Sequence, residues 1–258
     1  MIDTHCHLTS KQLFADIESV IQRAKGNGVS QMITVALNGE DAIDARECAT
    51  HFEEVFFTAG IHPLYADGKW DWESLGTVIR DEKCVAFGEL GLDKHYEDTD
   101  FDLQLRLLDE QLEFVTAQNG DERPIIVHCR KAIGDLLPIF ESSGISGNRF
   151  VFHCFTESME DAKKVLDFGA MLSFTGVVTY NNAPEVLDIA KFMPIDRIMV
   201  ETDAPYLTPE PNRKIWPNEP RFVVDTAACI AKSRGLSAAE FEASLDENAR
   251  RFFGLCKP

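Results

Sequence analysis

Short apolar runs rich in β-branched and aromatic residues recur along the chain, and longer amphipathic stretches separate them. This alternation is typical of repeated strand–helix units, in which parallel strands are joined by right-handed crossovers. Helical patterns at Lys11–Gly26, Phe101–Gln118 and Met159–Phe168 lie between the runs. The predicted strands are eight in number: Ile2–Cys6, Gln31–Ala36, Val55–Ile61, Cys84–Glu89, Ile125–Cys129, Phe150–Phe155, Met171–Phe174 and Arg197–Glu201.

The number of predicted strands limits the architectures that fit. Eight strand–helix units in 258 residues match the size of a closed (β/α)8 barrel. A doubly wound sheet with a similar number of strands fits the same pattern. No internal repeat or low-complexity linker divides the chain, so we predict a single α/β domain over residues 1–258.

Composition excludes some classes of protein and partner. The chain is 45% hydrophobic and 26% charged, which excludes disordered and fibrous proteins. The 25 Lys and Arg against 43 Asp and Glu give a net charge of −18, which argues against broad affinity for nucleic acid or anionic membranes. Seven cysteines without a C-x-x-C pair, and no signal or membrane segment, predict free thiols and a cytoplasmic location.

Histidines and carboxylates occur at the C-terminal ends of the predicted strands. His5 and His7 share one face of the first strand because side chains alternate, although an isolated pair fits two hydrogen-bonded histidines equally well. Active sites of barrels are built at the C-terminal face. Imidazole and carboxylate suit divalent ions, and six groups exceed what one tetrahedral ion uses, so we predict two adjacent ions. The six are His5, His7, Glu89, His128, His153 and Asp203.

Other catalytic classes lack their residues. Cys6, Cys129 and Cys154 each follow one of these histidines and should therefore face the helix layer as packing residues. The chain has no G-x-S-x-G motif and no phosphate-binding G-x-x-x-x-G-K-[ST] loop. Serine hydrolase and P-loop chemistry are accordingly unsupported.

Seven motifs occur in order along the chain: IDTHCHL at the start, GIHP at 60–63, GELGLD at 88–93, VHCR at 127–130, HCFT at 153–156, ETDAPYL at 201–207 and NEP at 218–220. Together they resemble the TatD family of metal-dependent nucleases, within the amidohydrolase superfamily. The resemblance covers the whole domain and implies the barrel fold. Two departures fall in loops expected to face the substrate: Thr9, where many members have Asp, and Trp216-Pro217 before Asn218.

The resemblance also implies a ligand set and an activity. His5, His7, Glu89 and Asp203 would hold the first ion, and Glu89 would bridge to a second ion held by His128 and His153. The implied ions are Zn²⁺, Mg²⁺ or Mn²⁺. The implied reaction is hydrolysis of phosphodiesters, in DNA from an end, with RNA as a further substrate.

Further residues receive roles at the same mouth. We assign Asp203 a second role as general base and count it, with the bridging Glu89, as catalytic. His62 and Arg130 are predicted to bind substrate phosphate. The alternative for His62 is a hydrogen-bonded loop histidine, and the alternative for Arg130 is a structural ion pair. Asp93 is a candidate to orient a ligand, and Tyr206 and Trp216 are candidates to stack on a base. The cations expected to offset the acidic charge at the mouth are Arg130, Arg213, Lys214 and Arg221.

Two other functions remain open from the residues. The same ligands would serve a hydrolase of amides or esters, such as a D-aminoacyl-tRNA deacylase. A barrel stabilised by metal and acting only as a binding module is the non-enzymatic alternative. The sequence indicates no obligate protein partner.

Overall fold

A computed structural model describes residues 1–96, 99–118 and 120–257, and in it eight strands form one sheet in the order of the chain. Every pair of neighbouring strands from first to last is parallel, which confirms the predicted (β/α)8 barrel. The strands are β1 Ile2–Cys6, β2 Gln31–Thr34, β3 Val55–Ala59, β4 Cys84–Asp93, β5 Ile125–Arg130, β6 Phe150–Phe152, β7 Met171–Phe174 and β8 Ile198–Val200.

Helices follow the strands and form the outer layer. The predicted helix Lys11–Gly26 is interrupted, because Asp16 has a non-helical backbone (φ −132°, ψ 31°) and starts a second helix. No helix in the described part of the chain combines the length and apolar character that a membrane span requires. The helices are α1 Lys11–Phe14, α2 Ile17–Gly26, α3 Gly39–His51, α4 Trp72–Val78, α5 Phe101–Ala117, α6 Ile133–Ser142, α7 Met159–Phe168, α8 Pro184–Phe192, α9 Val223–Arg234 and α10 Ala238–Phe253.

Two apolar layers fix which way each strand residue faces. In β5, Ile125 and Val127 pack in the large cluster between sheet and helices, whereas Ile126 belongs to the smaller cluster inside the barrel. Side chains alternate along a strand, so His128 continues the inner set. The same alternation holds in β6 for Val151, with His153 next on its face. Burial of the apolar positions therefore directs both histidines inward.

Backbone contacts between β1 and the segment after β8 close the barrel. Cys6 pairs in parallel with Ala204, and the His7 amide donates to the Ala204 carbonyl at 2.7 Å. The Asp203 amide donates to the His5 carbonyl at 2.9 Å. Closure of the sheet thus brings together His5, His7 and Asp203, although Asp203 is remote in sequence.

Several strand ends differ from the predicted ones. β4 was expected to end at Glu89, but it continues to Asp93, because it resumes pairing with β5 after a register shift between Phe87 and Leu90. Other strands are shorter than their apolar runs, since the last residues of the run leave the ladder and form the mouth of the barrel. Those that end early are β2 at Thr34, β3 at Ala59, β6 at Phe152 and β8 at Val200.

Candidate metal centre

The six predicted ligand side chains lie together at the C-terminal mouth of the barrel. All but His5 line a cavity of about 490 Å³, which we call the metal cavity, and His5 lies buried beneath it. Together with His62, they form groups in which three residues each offer a donor atom within 4.8 Å of the others, and the group that contains His128 is completed by His62. The grouping matches the prediction that these residues converge, and their roles as ligands are taken up below as a proposal.

The first group joins β1 to the segment after β8. His5 Nε2 lies 3.3 Å from His7 Nε2 and 3.7 Å from Asp203 Oδ1. The distance from His7 Nε2 to the same carboxylate oxygen is 3.3 Å. Three donor atoms therefore surround one point, two from the start of the chain and one from the segment after the last strand.

The Glu89 carboxylate lies between two sets of imidazoles. Its Oε1 is 2.8 Å from His128 Nδ1 and 2.5 Å from His153 Nε2. Its Oε2 is 3.4 Å from His5 Nε2. Each oxygen of this buried carboxylate thus faces a different side of the cluster.

Hydrogen bonds outside the cluster set the tautomers of two histidines. His7 Nδ1 donates to the Val35 carbonyl at 2.9 Å, so in the neutral ring that can bind metal the Nε2 lone pair faces the cluster. His128 Nε2 donates to Asp93 Oδ2 at 2.9 Å, so its Nδ1 lone pair does the same. Lone pairs and carboxylates directed at common points need a cation between them, and this donor set fits divalent ions.

A carboxylate supports each of the two histidines near Glu89 Oε1. Asp93 holds His128, as stated above. His153 Nδ1 lies 3.5 Å from Glu201 Oε1, and that oxygen also accepts the Cys154 amide at 2.6 Å. A carboxylate behind an imidazole fixes the orientation of the ring and raises its basicity, which strengthens a metal ligand.

The carboxylates of the cluster are ionised. Burial alone would raise the pKa of Glu89, but the neighbouring charge of His153 and the hydrogen bond with His128 hold it well below the usual range. Burial opposes ionisation of Asp203 as well, yet its hydrogen bond to His7 and the charges of nearby histidines lower the pKa. Both groups are therefore available as anionic donors near neutral pH.

His62 lies beside the cluster and points a protonated ring nitrogen toward it. The Leu64 amide donates to His62 Nδ1 at 3.0 Å, so in the neutral ring Nε2 carries the proton. That Nε2 is 3.6 Å from Glu89 Oε1 and 3.1 Å from His128 Nδ1. Burial and the charge of His128 lower the pKa of His62 to about 3, which keeps the ring neutral. It presents a hydrogen-bond donor where the others present lone pairs.

Glycine allows β4 to approach β5 at the site. Gly91 pairs with His128 and has φ +148°, and a Cβ there would lie 1.9 Å from the His128 carbonyl oxygen. Only glycine fits a backbone this close. The register shift between Phe87 and Leu90 precedes it and contains Glu89, so the irregular part of the strand is the part that carries the carboxylate.

Asp203 occupies a left-handed backbone conformation, with φ +53°. Asp and Asn tolerate this region better than other residues with a side chain, which otherwise pay roughly 1–2 kcal/mol for it. The bond from its amide to the His5 carbonyl, described above, holds it there. The conformation turns the carboxylate toward His5 and His7 directly after β8 ends.

Of the four cations expected around the mouth, Arg130 alone lines the metal cavity, where its guanidinium lies 5.3 Å from the Tyr96 ring centroid. The expectation for Arg221 is wrong: its Nε lies 3.1 Å from Glu219 Oε2, in a separate surface pocket shared with Arg23. Arg213 stacks on Tyr180 at 3.3 Å. Lys214 is exposed and lines none of the cavities described here.

The cysteines beside the histidines are not donors of the cluster. All seven thiols are free, and Cys6 donates to the Ile33 carbonyl away from the mouth. Burial raises the pKa of Cys154 to about 12 and that of Cys129 still further. Protonated thiols are poor ligands, and none of the groups formed by the described residues includes a cysteine.

Some residues of the mouth escaped prediction. Tyr65 and Tyr96 line the metal cavity, and Lys11 lines a smaller cavity beside it. A usable signal exists for the tyrosines, because each follows shortly after the end of a strand, as the ligands do. Lys11 begins a helix and carries no such signal.

Comparisons with known proteins agree with this site. A family model described as "TatD related DNase" matches residues 2–254. A protein of Escherichia coli K12 named "Uncharacterized metal-dependent hydrolase YcfH" is 34% identical over 99% of this chain and 96% of its own length. A protein of Klebsiella pneumoniae named "3'-5' ssDNA/RNA exonuclease TatD" is 30% identical over 99% of this chain and 98% of its own.

A solved structure supports the same assignment. The crystal structure of YjjV, a TatD homologue from Escherichia coli K12, superposes with a TM-score of 0.91 at 28% identity and covers 99% of this chain and 98% of that one. The family match spans nearly all of the chain, as the resemblance of the motifs predicted. This chain therefore belongs to the TatD family of metal-dependent hydrolases.

Proposed function

We propose that this protein is a two-metal phosphodiesterase that removes nucleotides from the 3′ end of single-stranded DNA, and of RNA as well. The observation that carries the proposal is the position of Glu89, whose two oxygens face different imidazoles. That arrangement suits a carboxylate bridging two ions, with His5, His7 and Asp203 on one side and His128 and His153 on the other. The name of the Klebsiella relative supports the choice of substrate.

Two divalent ions in these positions would supply positive charge for the attacking and leaving oxygens and acidify water between them. Asp203 accepts a proton from the attacking water, since it is ionised and stands at the edge of the cluster. The water oxygen forms a bond to phosphorus as the bond from phosphorus to the O3′ of the preceding nucleotide breaks. That O3′ takes a proton from solvent, Asp203 returns its own proton to solvent, and a nucleoside 5′-monophosphate is released.

Two side chains hold the phosphate during this reaction. His62 donates from Nε2 to a non-bridging oxygen, as its tautomer allows. Arg130 donates to the phosphate backbone on the side of the cavity near Tyr96. Both groups position the substrate, and neither is needed to activate the water.

Hydrolysis of a 5′-labelled single-stranded oligonucleotide tests the proposal. The protein is stripped with chelator and assayed with Mg²⁺, Mn²⁺ or Zn²⁺, beside a panel of esters, cyclic amides and D-aminoacyl-tRNA. We expect a ladder that shortens from the 3′ end, abolished in His128→Ala and unchanged in His51→Ala, a surface histidine. Turnover of an ester or amide with the oligonucleotide intact would assign the site to the alternative hydrolase. Binding without turnover of any substrate would leave a binding module.

A further inference from the structure

A second cavity opens from the metal cavity on the side of β1 and β2. It has a volume of about 200 Å³, and we call it the side cavity. The two cavities share the wall residues His7, Leu37, Tyr65 and Tyr206. His7 belongs to the metal centre. A molecule whose phosphate lies at that centre can therefore extend the group attached to this phosphate into the side cavity.

Two exposed tyrosines stand where the cavities meet. Tyr65 follows β3 and is 41% exposed, and Tyr206 follows β8 and is 50% exposed. Trp216 supports Tyr206, with ring centroids 6.1 Å apart. Aromatic faces left open at a passage of this kind are suited to stack on a nucleobase, whatever its identity.

The inner wall of the side cavity is polar and held in place. Asn38 Oδ1 accepts the Asp41 amide at 3.0 Å, and Asp41 Oδ2 accepts the Leu37 amide at 2.8 Å. Across the described residues no hydrogen bond reaches Asp41 Oδ1, and the Ser10 hydroxyl is buried without a partner. Asp41 Oδ1 is thus free to accept a hydrogen bond from a sugar hydroxyl, and the Ser10 hydroxyl is unsatisfied.

Charge distinguishes the side cavity from the opposite side of the mouth. Glu40, Asp41 and Asp44 lie together at the start of α3, and their proximity raises the pKa of Asp44 beyond the effect of burial. Lys11 is the one Lys or Arg among the described residues that line this cavity, and it is exposed. Arg130 lies on the other side, against Tyr96. A continuing phosphate backbone is favoured beside Arg130 and disfavoured beside Asp41.

We propose that the side cavity binds the 3′-terminal nucleoside of the strand, with its base against Tyr206 and its free 3′-hydroxyl donating to Asp41. The inference rests on the proposed nuclease function and adds the device that restricts it to chain ends. A hydroxyl satisfies the Asp41 carboxylate, whereas a 3′-phosphate in the same place is repelled by it. An internal nucleotide carries such a phosphate and is excluded for the same reason.

The test compares oligonucleotides of one sequence that end in a 3′-hydroxyl or a 3′-phosphate. For the unaltered protein we expect kcat/KM to be at least about tenfold lower for the 3′-phosphate, because like charges meet in a partly desolvated cavity. Asp41→Asn keeps an acceptor for the Leu37 amide but removes the charge, so the ratio should fall to within about threefold. Asp44→Asn, one turn along the same helix and outside the cavity, should leave the ratio unchanged.

A second pair of variants tests the stacking surface. Tyr206→Ala should raise KM for the 3′-hydroxyl oligonucleotide by about tenfold, from the loss of one base–aromatic contact, and Tyr206→Phe should not. Two results would overturn the inference while the nuclease function stands. One is an equal kcat/KM for the 3′-hydroxyl and 3′-phosphate oligonucleotides in the unaltered protein, and the other is a ratio of these two values that Asp41→Asn does not change. Failure to hydrolyse any oligonucleotide would overturn both.

Discussion

Glu89 is the residue on which both halves of the proposed metal centre depend. Its Oε1 is held near His128 and His153 and its Oε2 near His5, and its side chain is 1% exposed. A carboxylate this deeply buried is stabilised as an anion only by the positive charge around it. Removing it alters the surroundings of His5, His128 and His153 at once, whereas removing one histidine that does not bridge the two ions should alter a single coordination sphere.

We therefore expect Glu89→Ala to impair both metal sites and His153→Ala to weaken mainly the second. The measurement is the metal content per chain of each purified variant after reloading, with His51→Ala as the control. Equal losses from the two variants would mean that Glu89 is not the bridge.

Asp203→Asn separates the two roles assigned to Asp203. Asn tolerates the left-handed backbone at this position and keeps an oxygen that can coordinate, so the fold and both metals should be retained. The proton acceptor is lost, and kcat should fall by about two orders of magnitude or more. Metal content and kcat are measured on the same preparation. Near-normal turnover with both metals present would show that the proton leaves by another route, with His62 or solvent next to be tested.

Proton release on metal binding follows from the state of His7. Burial opposes its protonation, but the hydrogen bond and charge of Asp203 raise the pKa of His7 to about 9 in the metal-free protein. At pH 7 the ring is charged, and it must lose a proton to coordinate, so affinity for metal should rise as the pH increases from 7 toward 9. Calorimetric titration of the chelated protein in buffers of different ionisation enthalpy measures the release. Enthalpies that do not depend on the buffer would contradict this.

At the scale of the elements, β4 is the strand whose pairing is irregular at the site. Its register against β5 shifts between Phe87 and Leu90, and beyond the shift Gly91 lies against the backbone of His128. With regular pairing, alternation along the strand would alone decide on which face of the sheet the side chain at position 89 lies. The shift instead allows Glu89 and His128 to meet, and glycine makes the close approach of the two strands sterically acceptable.

Gly91→Ala should consequently lower the free energy of unfolding by about 3 kcal/mol, since the added methyl overlaps the His128 carbonyl and β4 must move away. Gly134→Ala is the matched control: Gly134 lies in α6 with open space around its Cβ position, and alanine there should raise stability by about 0.5–1 kcal/mol. Urea denaturation measures both, and metal content reports on the site. A Gly91→Ala protein as stable as the parent would show that the strands separate without cost.

At the scale of the whole molecule, an acidic chain carries the small site that we propose for an anionic substrate. The net charge of −18 opposes long-range attraction of nucleic acid. Among the Lys and Arg side chains of the described residues, Arg130 lines the metal cavity and Lys11 lines the side cavity. Recognition then depends on few phosphate contacts and on the metal centre, rather than on an extended basic face.

Binding of single-stranded DNA should accordingly show a shallow dependence on salt. With about two phosphates neutralised by side chains, the slope of log K against log salt concentration should be no steeper than about −1.5. Fluorescence anisotropy of labelled DNA on metal-loaded Asp203→Asn protein measures it. A slope of about −5 or steeper would require a basic surface outside the two cavities.

The sequence by itself determined the fold and the side of the barrel that carries the site. Apolar positions alternate in β5 and β6 because one face of each strand packs on helices and the other fills the barrel. That local pattern already directs His128 and His153 inward. His5 and His7 share a face by the same alternation, but the register shift between Asp3 and Cys6 means that apolar neighbours do not say which face, so only two donors were directed inward by neighbouring residues alone.

Only the tertiary structure decided how these groups combine. The position of Glu89 depends on a register shift against another strand, and that of Asp203 on closure of the sheet between the two ends of the chain. Arg221 lies at the end of the segment that carries Asp203, yet it contacts Glu219 on another surface. Lys11, near the start of the chain, lies at the mouth instead. Alternation along a strand is a local property that a sequence displays, whereas register, closure and the path of a loop depend on contacts between distant residues.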